Sequence, residues 1–254
     1  MRHSSIYIFC ACLAVSTLGF AQLSERKTLI VGVDNTQYFP IYSSELRSTY
    51  LGYSREIIKI FAEKYNYDIT FRILPIERLY MEFWSGDVDL KYPDSPYWKS
   101  GLREGKVIHY TKSILDYVDG IVVKPENFGA GINNFQRLGL VRGFTPFALL
   151  GDIKARNITL TKNNTLTGML RQVLSGRVDG AYINIDIARY QLREIFNEPG
   201  SLVFDPDLPF IKDSYLMSTL NHPDVIKEFN RFLVEEKLII SELKKQFGLK
   251  EWSN

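Results

Sequence analysis

The apolar positions of the chain change period in a regular order. Residues 28–33 (TLIVGV) form a short continuous apolar run of strand character, and residues 68–74 (DITFRIL) alternate as a strand does. Between them, residues 52–65 place Ile57, Ile58, Phe61 and Tyr65 on one face at helical spacing. Pro75 opens a second helix over 76–84, where a proline at the start loses no hydrogen bond. Gly86 ends it, since glycine takes the left-handed conformation at no steric cost. Residues 88–92 are the next strand. Strand, helix, strand, helix, strand implies parallel pairing through crossover helices.

The same syntax returns in the second half. It predicts a strand at 138–141, a turn at 143–145, the first turn of a helix at 146–150 and a strand at 157–160. A helix follows over 164–174 with Asn or Thr available as N-cap, then a stop at Gly176, a strand at 178–183 and a helix at 185–196. The segment SGDVDLKY at 85–92 is echoed by SGRVDGAY at 175–182. In each copy the glycine closes a helix, the valine enters the sheet and the aspartate, Asp89 or Asp179, starts the strand. Those two aspartates read as structural. Two lobes of one α/β architecture each need that joint once.

Residues 116–123 (DYVDGIVV) and 214–220 (SYLMSTL) are extended β-rich runs, the first followed by a polar, Gly-rich stretch at 124–134. They read as two crossings between lobes, with helices at 223–235 and 238–247 returning to the first. The expected division is 24–118 plus 214–254 for lobe one and 119–213 for lobe two.

Composition narrows the partners. The chain has 254 residues, 45% apolar and 24% charged, with a formal net charge of +2 and interleaved signs. It carries no basic stripe of the kind nucleic-acid binders use, so no nucleic acid is expected. Arg2 and His3 precede an apolar run over 6–15, and Gly19-Phe20-Ala21 offers small residues at a cleavage site. This is the layout of a signal peptide over 1–21. About ten apolar residues are too few to span a bilayer. The residues before Cys10 and Cys12 do not make a lipobox, so both cysteines leave with the signal and the mature chain has none. Such a chain works outside the cytoplasm without disulfides, in the periplasm if the source is Gram-negative.

With these pieces in place, the chain resembles the bacterial periplasmic solute-binding proteins of family 3, amino-acid-binding-like components of ABC transporters. The resemblance rests on LIVGVDNTQYFPIY, GYSREIIKIFAEKYNYDITF, SGDVDLKY, LGLVRGFTPF and LRQVLSGRVDGAYINID, in that order, and covers nearly all of the mature chain. PIER at 75–78 is similar to the Pro-x-x-Arg opening of a subgroup whose ligands are not firmly assigned. The resemblance implies a type II periplasmic binding fold: two α/β lobes, each a mainly parallel sheet flanked by helices, joined by two hinge crossings. It also implies hinge closure around a small ligand in the cleft.

Site residues follow from both lines of reasoning. A ligand between two α/β lobes lies where strand ends and helix starts converge, held by arginine, acid and aromatic faces. Tyr38 or Phe39 falls where the resemblance places an aromatic ring over the ligand. Tyr92, Asp94, Tyr97 and Trp98 follow the third strand, on the cleft side of this topology. Arg103 stands near the family's carboxylate-binding arginine, but the strict count lands on Glu104. Gly143, Phe144 and Thr145 match a Gly-x-Thr turn that binds carboxylate oxygens in relatives, with Arg142 before it. Asn184 replaces the family's ammonium-binding aspartate, and Asp186 reads as a cap. Arg78 in PIER is expected to face the cleft. The resulting expectation is a small polar, carboxylate-bearing ligand, bound by a monomer that serves an ABC permease or a membrane sensor. Only His109 and His222 remain after processing, and no nucleophile elbow or metal-spaced cluster is visible. No catalysis, cofactor or metal is expected.

Overall fold

A computed structural model of the chain describes residues 26–45, 49–99, 101, 103–142 and 144–252. The signal segment 1–21 lies outside the described residues. The first half runs β1 (Lys27–Asp34), a hairpin of β2 (Ser43–Glu45) and β3 (Thr49–Leu51), α1 (Tyr53–Lys64), β4 (Tyr67–Leu74), α2 (Ile76–Ser85) and β5 (Leu90–Asp94). After β6 (His109–Tyr110) and the long β7 (Leu115–Val123) come β8 (Arg137–Val141), α3 (Leu150–Arg156), β9 (Thr159–Asn163), α4 (Leu166–Leu174), β10 (Gly180–Asn184) and α5 (Ile185–Tyr190). The chain returns through β11 (Val203–Phe204) and β12 (Ile211–Thr219) to α6 (Pro223–Glu235) and α7 (Lys237–Gln246).

The main sheet has strand order β4-β1-β5-β12-β7-β10-β8-β9. Read from either end it is the same arrangement: three parallel strands, then one antiparallel. The two lobes meet where β7 and β12 pair antiparallel, Leu115–Asp119 against Ile211–Tyr215. An irregularity between Leu216 and Ser218 lets β12 leave β7 and join β5 in the first lobe.

The echo has a physical meaning in this arrangement. Asp89 donates its backbone N–H to Ile30 O at 2.9 Å, and its carboxylate accepts from Ile30 N at 2.7 Å. Asp179 donates to Arg137 O at 2.9 Å and accepts from Gln136 N and Arg137 N at 2.9 and 2.8 Å. Each aspartate clasps the neighbouring parallel strand just before the paired residues begin, at Val31–Leu90 and Leu138–Gly180. The glycines before them take the left-handed conformation, with φ of 81° at Gly86 and 72° at Gly176, which lets the strand begin only four or five residues after the helix ends.

The amphipathic faces are buried as the spacing requires. Ile57, Ile58 and Phe61 of α1 are fully buried. Phe61 stacks 4.5 Å from Phe229 of α6, so the C-terminal helices pack on the first lobe. Burying such side chains contributes about 1.5–3 kcal/mol each, which makes this helix layer a main source of stability. The spacing does not reveal α3, because none of its residues is buried and Asp152–Arg156 pairing supports it from the surface. The helix expected over 185–196 is shorter: α5 ends at Tyr190 and a π-turn occupies Gln191–Ile195.

Candidate functional site

A cavity of about 200 Å³ lies between the lobes. At ~30 Å³ of liquid per water it has room for six or seven waters, or one small solute. Strand ends build it, as parallel α/β sheets predispose. Asp34 closes β1; Lys91 and Pro93 come from β5; Tyr182, Ile183 and Asn184 come from β10. The crossings β7 and β12 supply its floor through Tyr117, Asp119 and Tyr215. Nine of its 20 lining residues are aromatic, so rings rather than aliphatic chains will touch a bound solute.

The lobes touch across this space. The Tyr38 ring meets Phe144 edge-on at 5.6 Å, and Phe39 lies 4.9 Å from Tyr190. Trp252, beyond α7, donates its indole N–H to Asp186 at 3.1 Å.

Charge in the first lobe is mostly spent internally. Lys91 is 1% exposed, with Nζ 2.8 Å from Asp94 Oδ1 and 4.5 Å above the Tyr80 ring. Arg103 binds the same carboxylate through two nitrogens at 2.6 and 3.2 Å, and also donates to Trp98 O and the Tyr110 hydroxyl. Burial alone would raise the Asp94 carboxyl, but Lys91 and Arg103 together outweigh it and hold it below its ordinary value. Burial likewise lowers the Lys91 ammonium, with Asp94 opposing. Asp34 is raised by burial, against hydrogen bonds from Thr36 and the nearby Lys91 charge.

The floor is different. Burial pushes Asp119 up to about 7, with repulsion from Asp213 adding to it and the neighbouring Asn184 amide opposing. Its Oδ1, the Asn184 Nδ2 and the Tyr182 hydroxyl are buried without a hydrogen-bond partner among the described residues. Asn184 accepts from the N–H groups of Asp186 and Ile187 at 3.0 and 3.2 Å, capping α5. Its oxygen is therefore committed, and its NH2 group is what the cavity sees. Native proteins leave few such atoms unsatisfied, and these three belong to residues that line the cavity.

Five of the sequence-derived candidates line the cavity: Tyr38, Trp98, Phe144, Thr145 and Asn184. The others are placed elsewhere. Tyr92 is fully buried in the core, and Phe39 packs on Tyr190 and Phe247. Asp94 and Arg103 neutralise each other behind the wall, so Arg103 has no free fork for a ligand carboxylate. Arg78 pairs with Glu82 on the surface at 2.8 Å, and Arg142 donates to Asn164 at 3.0 Å. The expected cluster of free arginines is thus absent from the lining, each being paired where it stands. Tyr97 is 73% exposed, and Gly143 lies outside the described residues. The periodicity gave no notice of Asp34, Asp119, Tyr117, Tyr182 or Tyr215. Among the described residues no cluster of His, Cys, Asp and Glu is arranged to hold a metal, and no helix is long and apolar enough to cross a membrane.

No family model matches the chain, and no curated protein matches it. Solved structures do. A histidine kinase sensor domain similar to periplasmic binding proteins superposes with a TM-score of 0.69 at 18% identity, over 89% of this chain and 99% of that one. An ancestral arginine-binding protein bound to arginine gives 0.67 at 16% identity, over 88% and 99%. An ancestral amino-acid-binding protein, a precursor of cyclohexadienyl dehydratase, gives 0.63 at 16%, over 87% and 94%. The chain has the two-lobe fold of periplasmic binding proteins. The palindromic strand order and the interlobe cavity are that fold's features, here carried by a lining with its own chemistry.

Proposed function

We propose that the protein is an extracytoplasmic solute-binding protein that traps one small polar molecule between its lobes and presents it to an ABC-type transporter. The observation that carries this reading is the cavity itself, walled by both lobes, floored by both crossings and lined by unpaired polar atoms among aromatic rings. We take 24–118 with 214–254 as one lobe and 119–213 as the other, hinged where β7 and β12 pair. Closure about such crossings is the hinge motion of periplasmic binding proteins. The small-molecule partner follows from the cavity volume. The carboxylate expected from the sequence would find none of Arg78, Arg103 and Arg142 free, because each is engaged elsewhere.

A second reading has its own support. The sensor domain of a histidine kinase shares the fold, so the same trap would serve a membrane receptor. Thermal denaturation of the mature protein against amines, amino acids, organic acids and sugars tests the shared core of both. A ligand at 100 times its Kd stabilises by about 2.7 kcal/mol, and small-angle scattering should show the lobes closing. Scattering and melting unchanged across all four classes would refute it. Binding to vesicles carrying an ABC permease, against those carrying a receptor, separates transport from sensing.

A further inference from the structure

The ionised groups around the cavity do not balance. Asp34 and Asp94 offset Lys91 and Arg103, and Glu77 offsets Lys99 at 2.5 Å. Asp119 and Asp213 remain, and among the described residues neither has an ion-pair partner. Asp213 is at least hydrogen-bonded, by Tyr117 and Ser95 at 3.3 Å and by Ser214 N at 2.8 Å. Asp119 Oδ1 has no hydrogen bond of regular geometry, and the donor near its carboxylate is the Asn184 side chain. The sheet register sets Asp119 opposite Asn184, whose NH2 is the unused donor beside it. The Tyr38, Tyr117 and Tyr215 rings stand around the same acid.

We infer that the cavity is selective for a small organic cation, an amine with an uncharged hydrogen-bond acceptor beside its nitrogen, with Asp119 as counter-ion and Asn184 as donor. This rests on the solute-binding reading above and names the ligand class of that site. An ammonium at Asp119 supplies the missing charge and donates to the orphaned oxygen. A hydroxyl or amide oxygen next to it accepts from Asn184, and the tyrosine faces stabilise the cation. A carboxylate in that position would meet Asp119 and Asp213 with no free cation to hold it. The chemistry of an amino alcohol or amino amide fits; that of an α-amino acid does not.

The inference carries a proton balance. In the empty cleft Asp119 is half protonated near neutral pH, held up by burial and by Asp213, with Tyr38, Tyr117, Tyr182 and Tyr215 as the other titratable groups that face it. Binding a cation expels that proton to the buffer. The apparent affinity scales as 1/(1 + 10^(pKa − pH)), which is about tenfold stronger at pH 8 than at pH 6. A neutral ligand accepting from protonated Asp119 would show the opposite slope.

The test is calorimetry on the mature protein with L-phenylalaninol, L-leucinol and choline, beside L-phenylalanine, L-leucine and 3-phenylpropanoate. We expect an amino alcohol to bind about tenfold or more tightly than its parent amino acid, and 3-phenylpropanoate not to bind. Affinity should rise about tenfold from pH 6 to pH 8, and heats in buffers of different ionisation enthalpy should report proton release. Asp119→Asn should weaken binding about tenfold or more and flatten the pH profile, while Lys227→Ala, exposed on α6 and outside the lining, should preserve both. The inference is overturned if the amino acid or 3-phenylpropanoate binds better, if the slope reverses, if Asp119→Asn binds as wild type, or if no amine binds at millimolar concentration. Binding of an amino acid with closure would leave the solute-binding reading standing. Failure of every probe and of closure would remove both.

Discussion

Asp94→Asn should be among the most destabilising conservative changes in the chain. The substitution keeps the shape of the side chain and removes one charge. It leaves Lys91, 1% exposed, and Arg103, 9% exposed, facing each other without the carboxylate that both touch at 2.6–2.8 Å. Ser218 Oγ, which donates to the same group at 2.5 Å, loses a charged acceptor as well. Breaking a buried pair by removing one partner costs about 3–5 kcal/mol. An independent bound comes from Lys91: it can always escape by losing its proton, at a cost at pH 7 of about 1.4 × (10.4 − 7), or roughly 5 kcal/mol. The two figures agree, and at about 2–4 °C per kcal/mol they imply a Tm lower by about 6–20 °C. Urea and thermal denaturation at pH 7 measure this. Lys91→Met in the Asp94→Asn background removes one stranded cation and should recover about half of the loss. The sign of the pH dependence is also fixed. Because the native carboxyl is held below its ordinary value, its contribution is present above about pH 4 and disappears as pH falls through the native pKa. The wild type should therefore lose more stability than Asp94→Asn between about pH 4 and pH 2. A loss under about 1 kcal/mol for Asp94→Asn, or a double variant no more stable than the single, would refute the account.

Asp119 predicts the reverse behaviour. Its native pKa is raised to about 7, so the unfolded chain gives up the proton first and stability falls as pH rises from about 4 to 7, by at most about 4 kcal/mol. Asp119→Asn should therefore melt higher than the unliganded wild type at pH 8 and match it near pH 4; a difference that does not grow with pH contradicts this. Asp179→Asn puts an NH2 group against the N–H donors of Gln136 and Arg137 and should cost about 1–3 kcal/mol in urea unfolding. Asp89→Asn, against Ile30 N and His222, should cost a similar amount, and a near-neutral result at either position would undo the shared-joint explanation of the echo.

The legibility of this chain in its sequence follows the kind of force at work. Helices whose apolar stripes face a core, such as α1 with Ile57, Ile58 and Phe61, announce themselves by spacing, because one partner surface dictates one period. The two crossings show as long β-rich runs for the same reason. The three-residue hairpin strands and the exposed α3 bury too little for any period to form. The site divides along the same line. Tyr38, Phe144, Thr145 and Asn184 lie in turns whose position is fixed by the elements around them. Whether an arginine faces the cleft depends on which acid reaches it first, and for Arg103 that is Asp94, nine residues earlier in the chain and on a different element. Asp119 had one visible signal: an acid inside an apolar run, ahead of Gly120, on a strand with no surface to spare.

The internal symmetry explains how a single scaffold yields two unlike walls. The echoed segments align Asp94 with Asn184 and Lys91 with Ala181, ninety residues apart. Both Asp94 and Asn184 end a central parallel strand and accept a hydrogen bond from the backbone just beyond it, Ser95 N at 2.8 Å and Asp186 N at 3.0 Å. In the first lobe that position carries a charge, which draws in Lys91 and Arg103 and closes into a neutral, rigid wall. In the second lobe it is an amide whose oxygen is committed to the cap, so its buried NH2 is the donor left over, and the acid appears instead on the crossing strand, at Asp119. Structural charge is thus concentrated where the lobe must stay folded. Unspent charge is left on the strand that joins the lobes, where a bound cation would neutralise Asp119.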